Sequence, residues 1–392
     1  MNDVHVDLIT RASGTVGEMS ARTIERITAW LVHLPYTEGP YRMSGDRIST
    51  GMDALVVRLV ADDGTVGIGE SGTTGVTYDP AYTGGQRAAL HLLGPAVVGC
   101  DPQAPQAVAR SMHRVLTGHP YAKAGIDMAC WDLAARVAGV PLWQLLGGDG
   151  PEPTPLYRPV QGATPQQAAA KAIERIAQGY PRLQVKVGDD PLVDAERVLA
   201  VREAVGPDVP IYADANCGFL LGAARTFVRA LGRGGAGIHL EQPCATLEDC
   251  IALRSIWGGP MVLDETMVSL AALLTAHRAG IADGITVKLT RVGGITPAKL
   301  MRDVAVELGV AVTVEDAGGG DLITMAFAHL NASTPERHRV HTVDFGNWAT
   351  SSPVTGPASR QGSFLVPQSD DSGLGMVLIE DQLGVPIYDL EG

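Results

Sequence analysis

The sequence predicts an α/β fold in which a closed parallel barrel follows a smaller α+β domain. After residue 148, short apolar runs typical of buried strands alternate with helix-like segments, and there are eight such runs. Eight parallel strands joined by helices are the number that closes a barrel. The length of 392 residues also fits a barrel plus a cap better than one small domain.

Composition narrows the class of partner. The formal net charge of −13 argues against nucleic acid or an anionic membrane as the main partner. No stretch approaches the roughly 18 consecutive apolar residues of a transmembrane helix. The five cysteines form no CxxC pair, which indicates reduced thiols in a cytoplasmic protein and argues against a disulfide framework or a zinc site.

The chain before residue 148 divides into an extension and a capping domain. Residues 1–22 are polar and lack the apolar core of a signal peptide, so we expect a poorly ordered extension. Residues 23–147 are expected to form the α+β domain. Its strands are predicted at 24–34, 53–60 and 66–70, with a hairpin turn at 62–64, and its helices at 85–98, 105–116 and 125–137.

Residues 148–347 are expected to form the barrel. An open doubly wound sheet is the alternative, but no GxGxxG motif follows any predicted strand, which favours the barrel. The Pro- and Gly-rich segment 348–392 is expected to fold back onto the cap. The barrel strands are predicted at 156–160, 183–187, 210–214, 237–242, 261–264, 284–289, 311–315 and 341–345.

One ionisable residue recurs near the end of each of six successive predicted strands. Barrel enzymes place their sites at the carboxyl ends of the strands, so we expect these side chains to converge on the barrel mouth. Any one of them alone is more simply a surface salt bridge; six in register indicate a site. They are Lys186, Asp214, Glu241, Asp264, Lys288 and Glu315.

Three carboxylates from successive strands, Asp214, Glu241 and Asp264, make an oxygen-only set that suits Mg²⁺. Lys186 and Lys288 flank them, and burying a lysine is costly unless it is paired. A metal-bound carboxylate substrate has an acidified α-proton. A lysine whose pKa is lowered by burial and a nearby cation can remove that proton. The other lysine then returns it, giving an epimer, or protonates a leaving hydroxide.

Two other classes of protein remain open at this point. A Schiff-base aldolase barrel would use Lys186 or Lys288 as a nucleophile and need no metal, but it leaves the three carboxylates without a purpose. A non-enzymatic binding protein on the same scaffold leaves the whole set of metal ligands and lysines without a purpose.

The motifs as a group resemble the enolase superfamily, and within it the muconate-lactonising-enzyme subgroup. The resemblance implies a modified (β/α)7β TIM barrel with an N-terminal α+β capping domain. It also implies Mg²⁺ as cofactor, held by Asp214, Glu241 and Asp264, with Lys186 and Lys288 as the acid/base pair. The motifs are Lys123 to Asp132, Pro141 to Gly148, Asp214-Ala215-Asn216, Glu241-Gln242-Pro243, Leu263-Asp264-Glu265, and Lys288 with Arg291 to Thr296.

One departure concerns the second barrel strand. The subgroup has Lys-x-Lys there, whereas this chain has Gln184-Val185-Lys186, which argues against the muconate-type and succinylbenzoate-type substrates of that subgroup. The chain is more similar to cis-3-hydroxy-L-proline dehydratases and 4-hydroxyproline betaine 2-epimerases. Gly318 and Val343 stand where aromatics are expected in that group. An aromatic face holds a quaternary ammonium best, so their loss favours the dehydratase, or an epimerase of a differently shaped amino acid, over the betaine epimerase.

The substrate is therefore expected to be a small carboxylate of the amino-acid type, and the protein a homo-oligomer. Tyr78, with Tyr41 and Tyr82, is a candidate to shape the pocket from the cap. Gln184 takes the place of a lysine that helps to bind the substrate carboxylate. Asn216 is expected mainly to support Asp214. Glu315 and Asp316 are expected to bind the lysines or the substrate's amino group.

Overall fold

The structure is a computed structural model that describes residues 22–42, 47–356, 359–368 and 371–392. The predicted N-terminal extension, 1–22, lies outside the described residues except for Arg22. Within the described ranges, no helix is both long enough and apolar enough to cross a membrane.

An antiparallel sheet backed by helices forms the N-terminal part of the chain. Its strands pair in the order β18-β1-β4-β5, and the long strands β1 and β4 are joined through the segment that holds the short β2–β3 pair. The elements are β1 (Ile24–Pro35), β2 (Tyr41–Arg42), β3 (Ile48–Ser49), β4 (Gly51–Ala61), β5 (Val66–Thr73), α1 (Thr83–Val97), α2 (Pro105–Val115), α3 (Pro120–Ala138) and α4 (Leu142–Leu145).

Helix α3 is longer at its start than the predicted 125–137. It begins at Pro120, a residue suited to the first helical turn. Fifteen of its nineteen residues are buried, so its sequence lacks the one-sided apolar pattern by which a helix is recognised. Glycine lets it approach β5 closely, because a Cβ on Gly69 would lie 2.3 Å from the carbonyl oxygen of Gly125.

Seven parallel strands with intervening helices form the barrel wall, in the order β13-β12-β11-β10-β9-β8-β7. Each strand pairs with its neighbour in sequence, as βα repeats require. The strands are β6 (Thr154–Pro155), β7 (Tyr157–Val160), β8 (Arg182–Lys186), β9 (Ile211–Asp214), β10 (Ile238–Glu241), β11 (Met261–Leu263), β12 (Gly284–Lys288) and β13 (Ala311–Glu315), where β6 lies outside the wall. The helices are α5 (Pro165–Ala177), α6 (Pro191–Val205), α7 (Leu221–Leu231), α8 (Leu247–Arg254), α9 (Leu270–Arg278), α10 (Leu289–Val292), α11 (Ile295–Glu307) and α12 (Asp321–Ala332).

The eighth barrel strand, predicted at 341–345, is not a regular strand. An irregular segment closes the barrel instead: the amide of Val312 donates to the carbonyl of His338 (2.7 Å), and the amide of Thr342 donates to the carbonyl of Pro155 (2.9 Å). The extended pattern ends early because the Asp344 carboxylate accepts the amide of Asn347 and starts a 3-10 turn.

The C-terminal segment returns to both parts of the molecule. Strand β16 pairs with β6 beside the barrel, and β18 pairs antiparallel with β1 at the edge of the cap sheet. Its strands are β14 (Val354–Thr355), β15 (Ser359–Gln361), β16 (Phe364–Val366), β17 (Val377–Leu378) and β18 (Tyr388–Glu391).

Two buried carboxylates of the cap hold it against the barrel. Glu70 accepts the amides of Gly320 (2.6 Å) and Ile323 (3.0 Å) at the start of α12. Asp127 accepts the amide of Thr296 (2.8 Å) in the first turn of α11. Helix N-termini have free N–H groups and a positive dipole end, so each carboxylate satisfies both needs at once. These contacts fix the cap against the barrel.

Candidate active site

The ionisable residues predicted from the strand ends lie together at the carboxyl end of the barrel. In the sheet register, Lys186 is beside Asp214 and Asp214 is beside Glu241. Asp264 follows β11 directly, and Lys288 is the last residue of β12. The three carboxylates therefore come from the strands that separate the two lysines.

Lys186 is held by partners from the barrel. Its Nζ donates to Asp214 Oδ2 (2.5 Å) and to Asn216 Oδ1 (2.9 Å). The amide of Asn216 in turn donates to Asp214 Oδ1 (2.9 Å), and its backbone adopts φ +42°, a conformation that asparagine tolerates. Asn216 therefore supports both Asp214 and the lysine.

Lys288 is held by the barrel and by the cap. Its Nζ lies 2.8 Å from Asp264 Oδ2, 2.7 Å from the Tyr78 hydroxyl and 3.8 Å from Glu315 Oε1. Burial is the largest single influence and lowers its pKa, but the surrounding carboxylates, Asp264 first and then Glu315 and Glu265, together raise it well above the ordinary lysine value.

This direction differs from the lowered lysine pKa that the sequence argument expects. Burial also lowers the pKa of Lys186 and is the largest single influence, but the charge and hydrogen bond of Asp214 together with the other neighbouring groups outweigh it, and the pKa is raised. The nearest charged groups to each lysine are carboxylates and not a cation, which is the physical reason. A divalent cation shared by the same carboxylates would oppose this effect.

Arg291 and Glu265 are site residues to which the sequence analysis gave no role. Arg291 Nη1 lies 2.5 Å from Asp264 Oδ1, and its guanidinium is also paired with Asp79 at 3.0 Å. Burial raises the pKa of Asp264, but Arg291 and Lys288 lower it to about 2. Glu265 Oε1 accepts the Tyr78 hydroxyl (3.1 Å) and the Asn216 amide (3.0 Å). In the sequence, the feature that could have identified Glu265 as a site residue is its position directly after Asp264.

Glu241 is buried with few partners. Its Oε2 accepts Gln184 Nε2 (3.1 Å) and its Oε1 lies 3.4 Å from the Thr286 hydroxyl. Burial, and then the charges of Asp214 and Asp264, hold its pKa well above the usual range. Gln184 is 3% exposed, and its role in the structure is this hydrogen bond to Glu241. Its contact with substrate stays a prediction.

Asp214, Glu241 and Asp264 fit Mg²⁺ in their chemistry. They supply only carboxylate oxygens, which a hard cation prefers, and their mutual repulsion in a buried setting is what a cation relieves. Among the residues that the structure describes, no three acidic, histidine or cysteine side chains are grouped closely enough to hold an ion. Each carboxylate instead faces a lysine, an arginine or an amide, so metal binding requires these side chains to turn toward one another.

A pocket of about 430 Å³ lies above these residues and brings the two lysines together. Tyr41, Trp348 and Phe345 build an aromatic wall, with ring centroids 5.4 and 5.5 Å apart along the series. Tyr82 does not belong to it, since its side chain is 53% exposed. The lining residues are Tyr36, Tyr41, Thr74, Tyr78, Tyr157, Lys186, Asn216, Lys288, Glu315, Asp316, Ala317, Phe345 and Trp348.

The two acidic residues at the end of β13, Glu315 within the strand and Asp316 directly after it, differ in what they offer a ligand. The Asp316 carboxylate accepts the amides of Thr290 and Ala317, both at 2.7 Å, and is occupied. Glu315 Oε2 is buried and has no hydrogen-bond partner among the described residues. Glu315 therefore presents an unpaired acceptor at a pocket that also holds both lysines, an arrangement suited to a ligand with a carboxylate and a positively charged amine.

Two family models match this chain. The one described as mandelate racemase / muconate lactonizing enzyme, N-terminal domain, matches residues 26–147. The one described as enolase C-terminal domain-like matches residues 167–382. The first match covers the cap and the second covers most of the barrel and part of the C-terminal segment. Together they span most of the chain.

Individual relatives agree with this assignment. A cis-3-hydroxy-L-proline dehydratase from Roseibium aggregatum is 37% identical over 93% of this chain and 98% of its own. An L-Ala-D/L-Glu epimerase from Bacillus subtilis is 31% identical over 79% of this chain and 85% of its own. A crystal structure of an enolase-superfamily member from Roseovarius nubinhibens, complexed with magnesium, is similar with a TM-score of 0.90 and 33% identity, covering 95% of this chain and 100% of the other.

Proposed function

Because this chain belongs to the enolase superfamily and is one of its lyases or isomerases, we propose that it removes the α-proton of a small amino acid with a lysine pair and dehydrates cis-3-hydroxy-L-proline or a related proline derivative. The observation that carries the proposal is the position of Lys186 and Lys288. Both line one pocket, and the strands between them supply three carboxylates.

In this proposal, Asp214, Glu241 and Asp264 hold Mg²⁺, which when bound stabilises the negative charge that develops on the substrate carboxylate. One lysine takes the α-proton on its Nζ. The other gives a proton to the departing 3-hydroxyl group, so that water leaves and a ring double bond forms. Glu315 accepts a hydrogen bond from the ring ammonium, and the aromatic wall limits the entry of water.

Epimerisation is the second candidate, and the aromatic wall favours it. Gly318 and Val343 are not aromatic, although aromatics were expected at these two positions. Tyr36, Tyr41 and Trp348 nevertheless give the pocket an aromatic lining. An aromatic wall suits a quaternary ammonium such as that of a proline betaine. In that case the second lysine returns the proton to the opposite face of the α-carbon.

A Schiff-base aldolase is disfavoured by the rest of the site. It would need no metal, so it leaves the three carboxylates Asp214, Glu241 and Asp264 without a purpose, and it needs only one lysine, whereas Lys186 and Lys288 line the same pocket.

Proton exchange in D₂O tests the proposal. The protein with Mg²⁺ is incubated with cis-3-hydroxy-L-proline, L- and D-proline and a proline betaine, and the α-proton signal is followed by NMR. We expect loss of that signal and a Δ1-pyrroline-2-carboxylate-type product from the hydroxyproline, and neither with Lys288→Ala. Exchange with racemisation and no elimination would favour the epimerase. Activity that survives complete chelation by EDTA would contradict the metal, and exchange of no substrate would remove the proline class.

A further inference from the structure

We propose that Tyr78 is a positioning residue for Lys288 and not for Lys186, so that the cap controls proton transfer on only one face of the substrate. The inference rests on the proposed function, since it assumes that both lysines handle the α-proton. It assigns to a cap residue a role that differs between the two half-reactions.

The two lysines are oriented by different parts of the protein. Lys186 donates to Asp214, the last residue of β9, and to Asn216, two residues further on. Both of its partners therefore belong to the barrel. Lys288 has Asp264 on the barrel side, and its other close partner is the hydroxyl of Tyr78 at 2.7 Å. An ammonium has three donors on a flexible stem, so the direction of its protons depends on such partners.

The Tyr78 hydroxyl is itself fixed in direction. A phenol has a single proton to donate, and Glu265 Oε1 lies 3.1 Å away to accept it. The oxygen lone pairs are then free to accept from Lys288. The ammonium also lies 5.1 Å from the centroid of the Tyr78 ring, within reach of its electron-rich face.

Tyr78 is carried by the loop between β5 and α1, and three contacts tie this loop and the end of β5 to the barrel. Asp79, the next residue, pairs with Arg291 at 3.0 Å. The hydroxyl of Thr74 donates to the carbonyl of Ala317. Gly72 passes so close to the barrel that a Cβ there would lie 2.1 Å from the carbonyl oxygen of Gly318. The placement of the cap thus sets the placement of the hydroxyl next to Lys288.

The consequence is an asymmetry in the chemistry. Without the hydroxyl, Lys288 keeps its carboxylate partner but loses one of the groups that aim its Nζ at the substrate. A small misplacement of a reacting group lowers the rate strongly, whereas substrate binding changes little. Lys186 makes no hydrogen bond to Tyr78 and is linked to it only through Glu265 and Asn216, so we expect a much smaller effect on proton transfer at the Lys186 face.

Exchange measured separately on the two faces tests this inference. L- and D-proline lack a 3-hydroxyl group, so they exchange the α-proton in D₂O without elimination. Lys186→Ala and Lys288→Ala first assign each enantiomer to a lysine. With Tyr78→Phe and Mg²⁺ present, we expect kcat for the Lys288-dependent enantiomer to fall about tenfold, the scale of one lost hydrogen bond to a charged group. The other enantiomer stays within about twofold, with little change in KM for either.

Two further variants make the test specific. Asp79→Asn weakens the loop tether without touching Lys288, and we expect the same bias in weaker form. Asn216→Ala removes a partner of Lys186, and we expect the opposite bias. Equal losses on both faces with Tyr78→Phe, or no loss, would overturn the inference while leaving the proposed function intact. Failure of the wild-type protein to exchange either enantiomer would overturn the inference, whereas the proposed function falls only if cis-3-hydroxy-L-proline and the betaine also show neither exchange nor product.

Discussion

Glu315 shows how one unpaired atom points to the chemistry of a ligand. Its Oε2 is buried without a hydrogen-bond partner in the described structure, whereas neighbouring Asp316 is satisfied by two backbone amides. A buried carboxylate without a full set of partners is costly unless a ligand supplies the missing donor. The position of Glu315 suits an ammonium.

Replacing Glu315 by Gln is therefore expected to weaken binding of amine-containing substrates. The loss of a charge-assisted hydrogen bond predicts a rise in KM of about 10- to 100-fold. Steady-state kinetics on proline derivatives measures it, and competition by tetrahydrofuran-2-carboxylate, which has a ring oxygen in place of the amine, is the reference. Asp316→Asn is the matched variant. Because Asp316 is bound by two backbone amides, we expect this substitution to lower the stability of the protein and to leave amine binding largely unchanged. Equal weakening of the amine and oxygen ligands by Glu315→Gln would contradict an ammonium contact.

Part of the site was visible in the sequence and part was not. Lys186, Asp214 and Lys288 could be identified because each ends an apolar run, and strand ends meet at one edge. Tyr41 was a candidate for the pocket, but Arg291 and the other members of the aromatic wall, Phe345 and Trp348, could not be identified, because their contacts join segments far apart in the chain. Tyr41 and Trp348, for example, lie in the cap and near the C-terminal segment, and no local pattern predicts that their rings meet.

At the level of elements, prediction from the local sequence pattern failed where contacts with distant parts of the chain determine the structure. Helix α3 is buried on nearly all sides, which hid its first turn. The segment predicted as the eighth strand is held by one isolated bridge, from Thr342 to Leu156, and a second bridge joins Arg339, just before it, to Val312. The regular strands of the barrel wall were predicted well because each is a short apolar run. The buried carboxylates that cap α11 and α12 were not predicted, since capping across domains leaves no local motif.

Glu70 makes the stability contributed by the contact between the cap and α12 depend on pH. Burial raises its pKa from the ordinary 4.5 to about 7, although the amides of Ile323 and Gly320 oppose the rise. A carboxyl whose pKa is higher in the folded than in the unfolded state contributes stability that is present in full below about pH 4.5 and is lost as the pH rises through about 7.

Glu70→Gln imitates the protonated carboxyl, so its stability relative to wild type is expected to increase between pH 5 and pH 8.5 by about 2–3 kcal/mol. Urea unfolding at both pH values measures this difference. Glu174→Gln, at an exposed position of α5, is the control and should show a difference that does not change with pH. A constant difference for Glu70→Gln as well would show that Glu70 is ionised in the folded protein throughout.

For the whole molecule, the cap is completed by the far end of the chain. Strand β18 covers the edge of β1, and Ile387 and Leu390 pack against the cap core. Removing residues 387–392 exposes that edge and loses apolar contacts, so we expect a fall in Tm of about 5 °C or more. Differential scanning calorimetry measures it. Asp389→Asn, which weakens one exposed ion pair with Arg26 but keeps the strand, should cost much less; an equal loss would assign the effect to that ion pair.

This pairing also bears on how the protein is synthesised. On the ribosome, β1 emerges early, and its partner β18 emerges only after the whole barrel has been translated. Contacts between segments so distant in sequence form late. The nascent chain therefore has an open strand edge for most of its translation, the kind of surface on which chaperones act and from which aggregation begins.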